Sequence, residues 1–321
     1  MDDALALSVV IPVYNEADSL PELVAGLREA DLPEPWEALL VDDGSTDGSL
    51  AALEALARED PHLVVVAFRR NYGQTAALAA GLTLARGAAI AFLDADLQND
   101  PRDIPLLLQH LDAGADAACG WRVDRQDRWL TRKVPSQLAN GLIGRVTGVR
   151  LHDYGCTLKA FRRDALAGVR LYGEMHRFLP VYAAQSSGKI VEVPVRHHAR
   201  RFGRSKYGLE RTVKVLLDLC TVRLLTAYAA KPAYLFGRVG IWFLGLAFLP
   251  LLAALGVRAV MPALLLVLGA LMLMIGGVQC VLLGMLAEML ARTYHECQGK
   301  TPYVIARVIR EGADVPLTAS A

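Results

Sequence analysis

The sequence predicts an α/β protein: a mostly parallel sheet with helices on both faces, then amphipathic helices and a two-helix hairpin long enough to span a membrane. Three observations carry that reading. Four short apolar runs, each followed by a polar cluster and a helix-like stretch, repeat between residues 6 and 100 at the spacing of βα units. The polar clusters all fall at the carboxyl ends of those runs, where open α/β sheets bind their ligands. Residues 239–287 are almost wholly apolar, whereas residues 1–200 have the make-up of an ordinary soluble domain.

The four runs are Ala6–Val13, Ala38–Val41, Leu63–Phe68 and Ala88–Leu93. The first leads into Pro12-Val13-Tyr14-Asn15-Glu16 and the second into Asp42-Asp43-Gly44-Ser45. The third leads into Arg69-Arg70-Asn71-Tyr72-Gly73-Gln74 and the fourth into Asp94-Ala95-Asp96-Leu97-Gln98. One polar loop would mean little, because loops are polar anyway. Four that converge on one sheet edge define a candidate site. Asp42 and Asp43 suit the base and ribose hydrogen bonds of a nucleoside. The same loop also reads as the entry to a helix, since Ser45, Thr46 and Asp47 are all good caps.

Asp94 and Asp96 are the sharpest signal. In an extended segment, residues i and i+2 point the same way. Two carboxylates on one side of a strand end suit a hard divalent cation, Mg²⁺ or Mn²⁺, whose remaining ligands are substrate phosphate oxygens and water. Gln98 shares that parity and offers an amide oxygen. Beyond it the pattern is structural: Asp100 as N-cap, Pro101 at the first helical position and Asp103 in the first turn.

The second half of the chain reads as membrane-associated. Residues 239–257 and 259–287 carry no charge, and a helix needs roughly 20 apolar residues to cross the hydrocarbon core. Arg258 stands alone between them, near Gly256 and Pro262, as at a tight turn. A buried hairpin of a soluble protein rarely runs so long without a charge. Nine basic residues, from Arg200 to Arg238, precede the hairpin, and Arg292, Lys300, Arg307 and Arg310 follow it, which places both flanks in the cytoplasm. Within 206–231, Leu209, Val213, Leu216, Leu217, Cys220, Leu224 and Leu225 recur at helical spacing among basic residues. That pattern fits an interfacial helix and equally a surface helix packed on the soluble domain.

Net charge is +1, so no nucleic-acid partner is expected and any basic site is local. The five cysteines, Cys119, Cys156, Cys220, Cys280 and Cys297, are scattered without a CxxC, which argues against a disulfide framework. The N-terminus, with Asp2 and Asp3, has no secretory-signal pattern. The seven histidines show no ligand spacing.

In this order and spacing, PVYNE, VDDGS, RNYGQ and DADLQNDP resemble the family 2 inverting glycosyltransferases of the GT-A fold. Asp153-Tyr154-Gly155-Cys156, Phe202-Gly203-Arg204-Ser205-Lys206-Tyr207 and the two apolar runs are similar to the polyprenyl-phosphate branch, nearest the undecaprenyl-phosphate aminoarabinose transferases. Dolichyl-phosphate mannose synthases and the glucosyl-carrier synthases stand further off. The likeness covers residues 5–310. It implies a cytoplasmic catalytic domain over 1–205, interfacial helices over 206–233, two transmembrane helices within 234–290 and a cytoplasmic tail over 291–321. It also implies residue roles. Pro12, Tyr14, Glu16 and Asp42 would hold the nucleoside of a nucleotide-diphosphate sugar. Asp94, Asp96 and Gln98 would hold the metal and the donor diphosphate. Arg122, Arg132 and Ser136 would grip the acceptor phosphate. Arg200 and Lys206 belong to the segment that closes over the site, and Asp153 matches an acidic residue that acts as base or orients its neighbours. Relatives often carry an acidic residue where this chain has Arg204.

The expected reaction is inverting transfer of one sugar to undecaprenyl phosphate at the bacterial inner membrane, with 4-deoxy-4-formamido-L-arabinose as the first candidate sugar and glucose as the second. Assembly into homo-oligomers is left open. A processive synthase would need a QxxRW segment. Arg128-Trp129 is present, but Arg125 stands where the glutamine should be. A non-catalytic scaffold would bind the donor without metal-dependent release of nucleoside diphosphate.

Overall fold

The computed structural model describes residues 5–123, 134–171, 175–186, 188–199 and 303–315, with isolated helical positions between 268 and 293. The chain divides into two units, one of residues 1–219 with 302–321 and one of residues 220–301.

The first unit is built on a nine-stranded sheet. Its strands are β1 (Leu7–Val13), β2 (Trp36–Asp42), β3 (Leu63–Phe68), β4 (Ala89–Phe92), β5 (Ala117–Trp121), β6 (Lys159–Arg162), β7 (Ile190–Pro194), β8 (Ile305–Arg310) and β9 (Ala313–Val315), in the order β7-β5-β6-β4-β1-β2-β3-β8-β9. The four apolar runs of the sequence are β1 to β4, and they pair in parallel as the centre of the sheet. These strands are buried nearly end to end, which is why they read as continuous apolar runs rather than alternating ones. The intervening helices are α1 (Leu20–Glu29), α2 (Ser49–Glu59), α3 (Gln74–Leu84) and α4 (Ile104–Asp112). Asp100 caps the turn ahead of α4 by accepting the Arg102 N–H, with Pro101 at the first position, as its sequence pattern requires. α5 (Val134–Thr147) and α6 (Leu179–Ser186) follow.

The flanks of the sheet are mixed. β6 enters antiparallel between β4 and β5, and β7 runs parallel to β5. Because β6 runs backwards, its first residue, Lys159, lies opposite Phe92 at the carboxyl end of β4. The turn that precedes β6 is thereby delivered to the edge where the polar loops gather.

The range expected to be a C-terminal tail contributes structure to this sheet. β8 pairs antiparallel with β3, and β9 folds back on β8. Short strands with charged residues carry too weak a periodicity to be seen in sequence. Arg307 pairs with Glu54, and Arg310 donates to Glu37 Oε2 at 2.8 Å. Tyr303 stacks on Phe68 with ring centroids 5.2 Å apart.

In the second unit the described positions between Leu268 and Thr293 are helical. Among the described residues no helix is long and apolar enough to cross a membrane. The runs 239–257 and 259–287, apart from those isolated positions, and the amphipathic stretch 206–231 lie outside the described residues.

At the amino-terminal end of the central strands, one buried carboxylate gathers four segments. Glu37 accepts from the Ser8 hydroxyl at 2.8 Å, the Arg86 N–H at 2.9 Å and the Arg86 and Arg310 guanidinium groups. Burial pulls its pKa up, but the hydrogen bonds from Arg310, Arg86 and Ser8 outweigh that and hold it below the ordinary 4.5. Glu37→Gln is expected to cost about 2 kcal/mol at neutral pH, since charge-assisted bonds to a buried group are lost. The folded pKa is depressed, so this stabilisation is complete above 4.5 and disappears as pH falls through the lower folded value. Thermal unfolding of wild type and variant against pH checks this: the gap in Tm should close in acid.

Candidate active site

The cleft lies at the carboxyl edge of β1 to β4. It is lined by Pro12, Val13, Tyr14 and Glu16 from the first loop, Asp43 from the second, Asn71, Gly73 and Gln74 from the third, and Asp94, Ala95 and Asp96 from the fourth. All four sequence clusters therefore meet in one place, as strand-end loops of a parallel sheet must when the strands share a direction.

The loops are stitched to each other. Asn15, in the left-handed region at φ 54°, donates its N–H to Ser45 Oγ at 2.9 Å, and its side-chain oxygen accepts the Thr46 N–H at 2.8 Å. The Glu16 N–H donates to Ser49 Oγ at 2.9 Å. Ser45 and Thr46 thus bind the first loop and do not cap α2; Asp47 receives the Ser49 N–H and Oγ, and also the Ala17 N–H at 3.2 Å. Asp43 then ties the second loop to the third, accepting the Tyr72 N–H at 2.6 Å and the Gly73 N–H at 2.8 Å. Gly44 makes this junction feasible. Its φ is +68°, and a Cβ there would sit 2.5 Å from the Arg70 carbonyl carbon.

Asp42 is 1% exposed and stands behind the cleft wall, which Asp43 forms. Its Oδ2 accepts the Ser45 N–H at 3.3 Å, while Oδ1 has no partner among the described residues. Burial raises the pKa of both aspartates, opposed at Asp43 by the Tyr72 and Gly73 N–H groups.

The carboxylate pair does not sit on an extended segment. Residues 95–98 form a turn, with Leu97 at φ 60°, an unusual conformation for a branched side chain. The turn, and not strand parity, places Asp94 and Asp96 together in the cleft. Gln98 consequently does not line it. Its N–H donates to Asp96 Oδ1 at 3.2 Å and its carbonyl accepts the His198 N–H at 2.9 Å. Asp94 is held on both oxygens, by Gln74 Nε2 at 2.8 Å and by Thr157 Oγ1 at 2.6 Å. Burial, and then the neighbouring Asp96 carboxylate, push the Asp94 pKa up to about 6.

Beside this pair stands an ion pair from the flank of the sheet. Arg122, at the end of β5, donates Nε to Asp153 Oδ2 at 2.7 Å and Nη2 to Oδ1 at 3.0 Å, a two-pronged contact with both side chains largely buried. Trp121 stacks on His152, centroids 4.5 Å apart. Of the other expected acceptor and closing residues, Arg132, Arg200 and Lys206 lie outside the described residues; Ser136 is in α5, with its side chain outside them.

Three residues in this region were not singled out from sequence. Thr157 gave no signal. Lys159 opens the four-residue strand β6 and is 3% exposed; Glu192 lies on β7 and binds the His152 and Asp153 amides. Cys119 and Cys156 are buried, and burial pushes their thiols up to about 12 and about 11, so neither is a nucleophile. Among the described residues no group of three or more His, Cys, Asp or Glu side chains forms a metal cage. A metal here would rest on the two aspartates and complete its shell from substrate and water.

An acidic cleft of this kind at the switch edge of an α/β sheet belongs to enzymes that handle phosphorylated nucleotides. Comparison with known proteins is more specific. The sequence profile of "Glycosyl transferase family 2" matches residues 8–170. A dodecaprenyl-phosphate galacturonate synthase of Rhizobium johnstonii is 44% identical, over 95% of this chain and 93% of that protein. An undecaprenyl-phosphate 4-deoxy-4-formamido-L-arabinose transferase of Klebsiella pneumoniae is 41% identical, over 98% and 95%. The chain belongs to glycosyl transferase family 2, and it is a glycosyltransferase. Two solved structures share the fold: S. aureus TarS with UDP-GlcNAc, TM-score 0.53 at 19% identity over 72% of this chain and 69% of that one, and glucosyl-3-phosphoglycerate synthase of Mycobacterium tuberculosis with Mn²⁺, UDP and phosphoglyceric acid, TM-score 0.52 at 19% over 67% and 78%. The fold is GT-A-like, with a parallel centre.

Asp43→Asn is expected to loosen the junction between the second and third loops by weakening two charge-assisted bonds. Amide hydrogen exchange at Tyr72 and Gly73 should quicken about tenfold while exchange in β1 and β2 stays at the wild-type rate.

Proposed function

We propose that this chain transfers one sugar from a uridine nucleotide-diphosphate sugar to undecaprenyl phosphate, with inversion, at the cytoplasmic face of a bacterial inner membrane. The observation that carries the reading is the meeting of the Asp94–Asp96 pair with the nucleoside-sized cleft on one side and the Asp153-braced Arg122 on the other. The full-length relatives, each named for a polyprenyl-phosphate sugar transfer, support it.

In this reading Pro12, Tyr14 and Glu16 line the nucleoside end, and Asp42 supports the second loop from behind the wall by accepting the Ser45 N–H. Asp94 and Asp96 would hold Mg²⁺ or Mn²⁺. Their crowding favours a cation, because two carboxylates that resist ionising together are relieved by one. When bound, the ion neutralises charge on the departing diphosphate. The acceptor phosphate, with a second pKa of about 6, is already largely ionised at neutral pH. One of its oxygens attacks the anomeric carbon in line, the bond to the diphosphate oxygen breaks, and the nucleoside diphosphate leaves with both bonding electrons. No proton has to be removed from the nucleophile. Asp153, spent on Arg122 through two hydrogen bonds, then serves to aim the guanidinium at the acceptor and not as a base. Arg132, Ser136, Arg200 and Lys206 complete the acceptor and closing elements.

The membrane assignment rests on sequence and on one topological fact. β7 and β8 belong to the same sheet, on either side in sequence of the apolar region. In this reading the apolar region between returns to the side it left, which two spans, one for each apolar run, would achieve. Leu268, Met272, Ile275, Leu286 and Leu290 are exposed apolar positions on helix, which suits a lipid-facing surface. The relatives differ in their printed sugar, galacturonate or 4-deoxy-4-formamido-L-arabinose. The formamido sugar remains the first candidate and galacturonate becomes an equal competitor.

Membranes carrying the chain, incubated with undecaprenyl phosphate and a panel of radiolabelled UDP-sugars, should place one label in the lipid fraction. Label in no lipid, or in a polymer, would refute the proposal. Asp96→Ala and chelation with EDTA should each abolish transfer, the second reversibly on adding Mn²⁺, with the protein still in the membrane fraction. For topology, Arg258→Cys should react with an impermeant maleimide added outside intact spheroplasts, and Ala313→Cys only after lysis.

A further inference from the structure

We propose that the turn of residues 152–157 is a yoke that fixes Arg122 and Asp94 relative to each other, and that Lys159 and Glu192 are the positioning residues that hold it. The proposal rests on the functional reading above, in which Arg122 serves the acceptor and Asp94 the donor.

The two arms of the yoke are direct contacts. Asp153, near its start, grips the Arg122 guanidinium at 2.7 and 3.0 Å. Thr157, at its end, donates its hydroxyl to Asp94 Oδ2 at 2.6 Å. One short turn thus touches both halves of the site. Its own shape is set from β6 and β7. Lys159 Nζ donates to the carbonyl oxygens of Tyr154, at 3.3 Å, and Cys156. Glu192 Oε1 accepts the N–H groups of His152, at 2.7 Å, and Asp153, at 3.2 Å, while Oε2 meets His152 Nδ1 at 2.7 Å. A cation therefore collects the carbonyls inside the turn, and an anion collects the amides at its start.

The sheet register explains how two charges come to share this task. Lys159 lies opposite Cys119 on β5, and Cys119 lies opposite Glu192 on β7. In-register neighbours project from the same face, so both side chains reach the turn from one side. A lysine 3% exposed in a strand is costly unless its charge is answered. The two carbonyls answer it, helped by the field of Asp94. Such an expense is sensible where distance matters, because in-line attack tolerates little change in separation between the acceptor phosphate and the anomeric carbon.

The test uses the full chain in detergent with two readouts: the Mn²⁺ concentration for half-maximal UDP binding, and the KM for undecaprenyl phosphate. Loss of one such hydrogen bond should move a readout about tenfold. Thr157→Val should raise the Mn²⁺ requirement and leave the acceptor KM at the wild-type value. Glu192→Met, which removes the acceptor of the His152 and Asp153 N–H groups, should do the reverse. Lys159→Met should move both, with wild-type β-sheet content by circular dichroism. A folded Lys159→Met protein that shifts only one readout or neither overturns the yoke, as does either arm variant that leaves its own side unchanged. Should Lys159→Met fail to fold, Lys159→Gln, whose shorter neutral side chain removes the charge from between the two carbonyls, is read the same way. If the wild-type chain transferred no sugar to undecaprenyl phosphate, the functional reading would fall. The yoke would then be judged on binding of UDP with Mn²⁺ and of undecaprenyl phosphate in micelles.

Discussion

The position of Asp94 is the constraint on which the rest of the site depends. It follows the shortest of the central strands by two residues, and its two oxygens are held by Gln74 from the start of α3 and Thr157 from the turn before β6. Asp96, inside the turn that begins at residue 95, lines the same cleft, and the chain bends at Leu97 directly after it. A carboxylate so enclosed, with a second one adjacent, is held in a state that favours a cation's arrival. The electrostatic strain and the geometric precision have the same origin: three separated segments converge on one side chain.

That convergence needs both kinds of strand pairing. Parallel β1 to β4 bring four loops to one edge. Antiparallel β6 reverses the chain, so a turn rather than a helix arrives beside Asp94. The first group builds the cleft, stitched through Asn15, Ser45, Asp47 and Asp43. The second builds the Arg122–Asp153 flank. At the opposite end of the strands Glu37 ties together β1, β2, the α3–β4 connection and β8, so the C-terminal strands are part of the catalytic scaffold and close the β3 edge.

For a transferase acting on a lipid phosphate, this division of labour is physically reasonable. The donor side requires charge neutralisation of a leaving diphosphate, and acidic residues gather there. In the proposed reaction the acceptor is already an anion, so its side would require an aimed cation more than a base.

The sequence by itself determined the α/β class, the four central strands, the loops that form the cleft and the two aspartates, because burial on both faces of a parallel strand leaves an unbroken apolar run and the polar loops stand directly after it. It also determined the cap at Asp100 and Pro101, which is a local pattern. Only the tertiary structure decided that a turn, not an extended strand, pairs Asp94 with Asp96, and that Gln98 faces elsewhere while Asp43 replaces Asp42 in the wall. It alone decided that Arg122 and Asp153 share one bidentate contact, that Thr157 binds Asp94, and that Lys159 and Glu192 bind the backbone between them. These depend on the direction of β6 and the register of β5, β6 and β7. Pairing between segments tens of residues apart leaves no trace in the order of residues along the chain, since each strand is locally consistent with either direction.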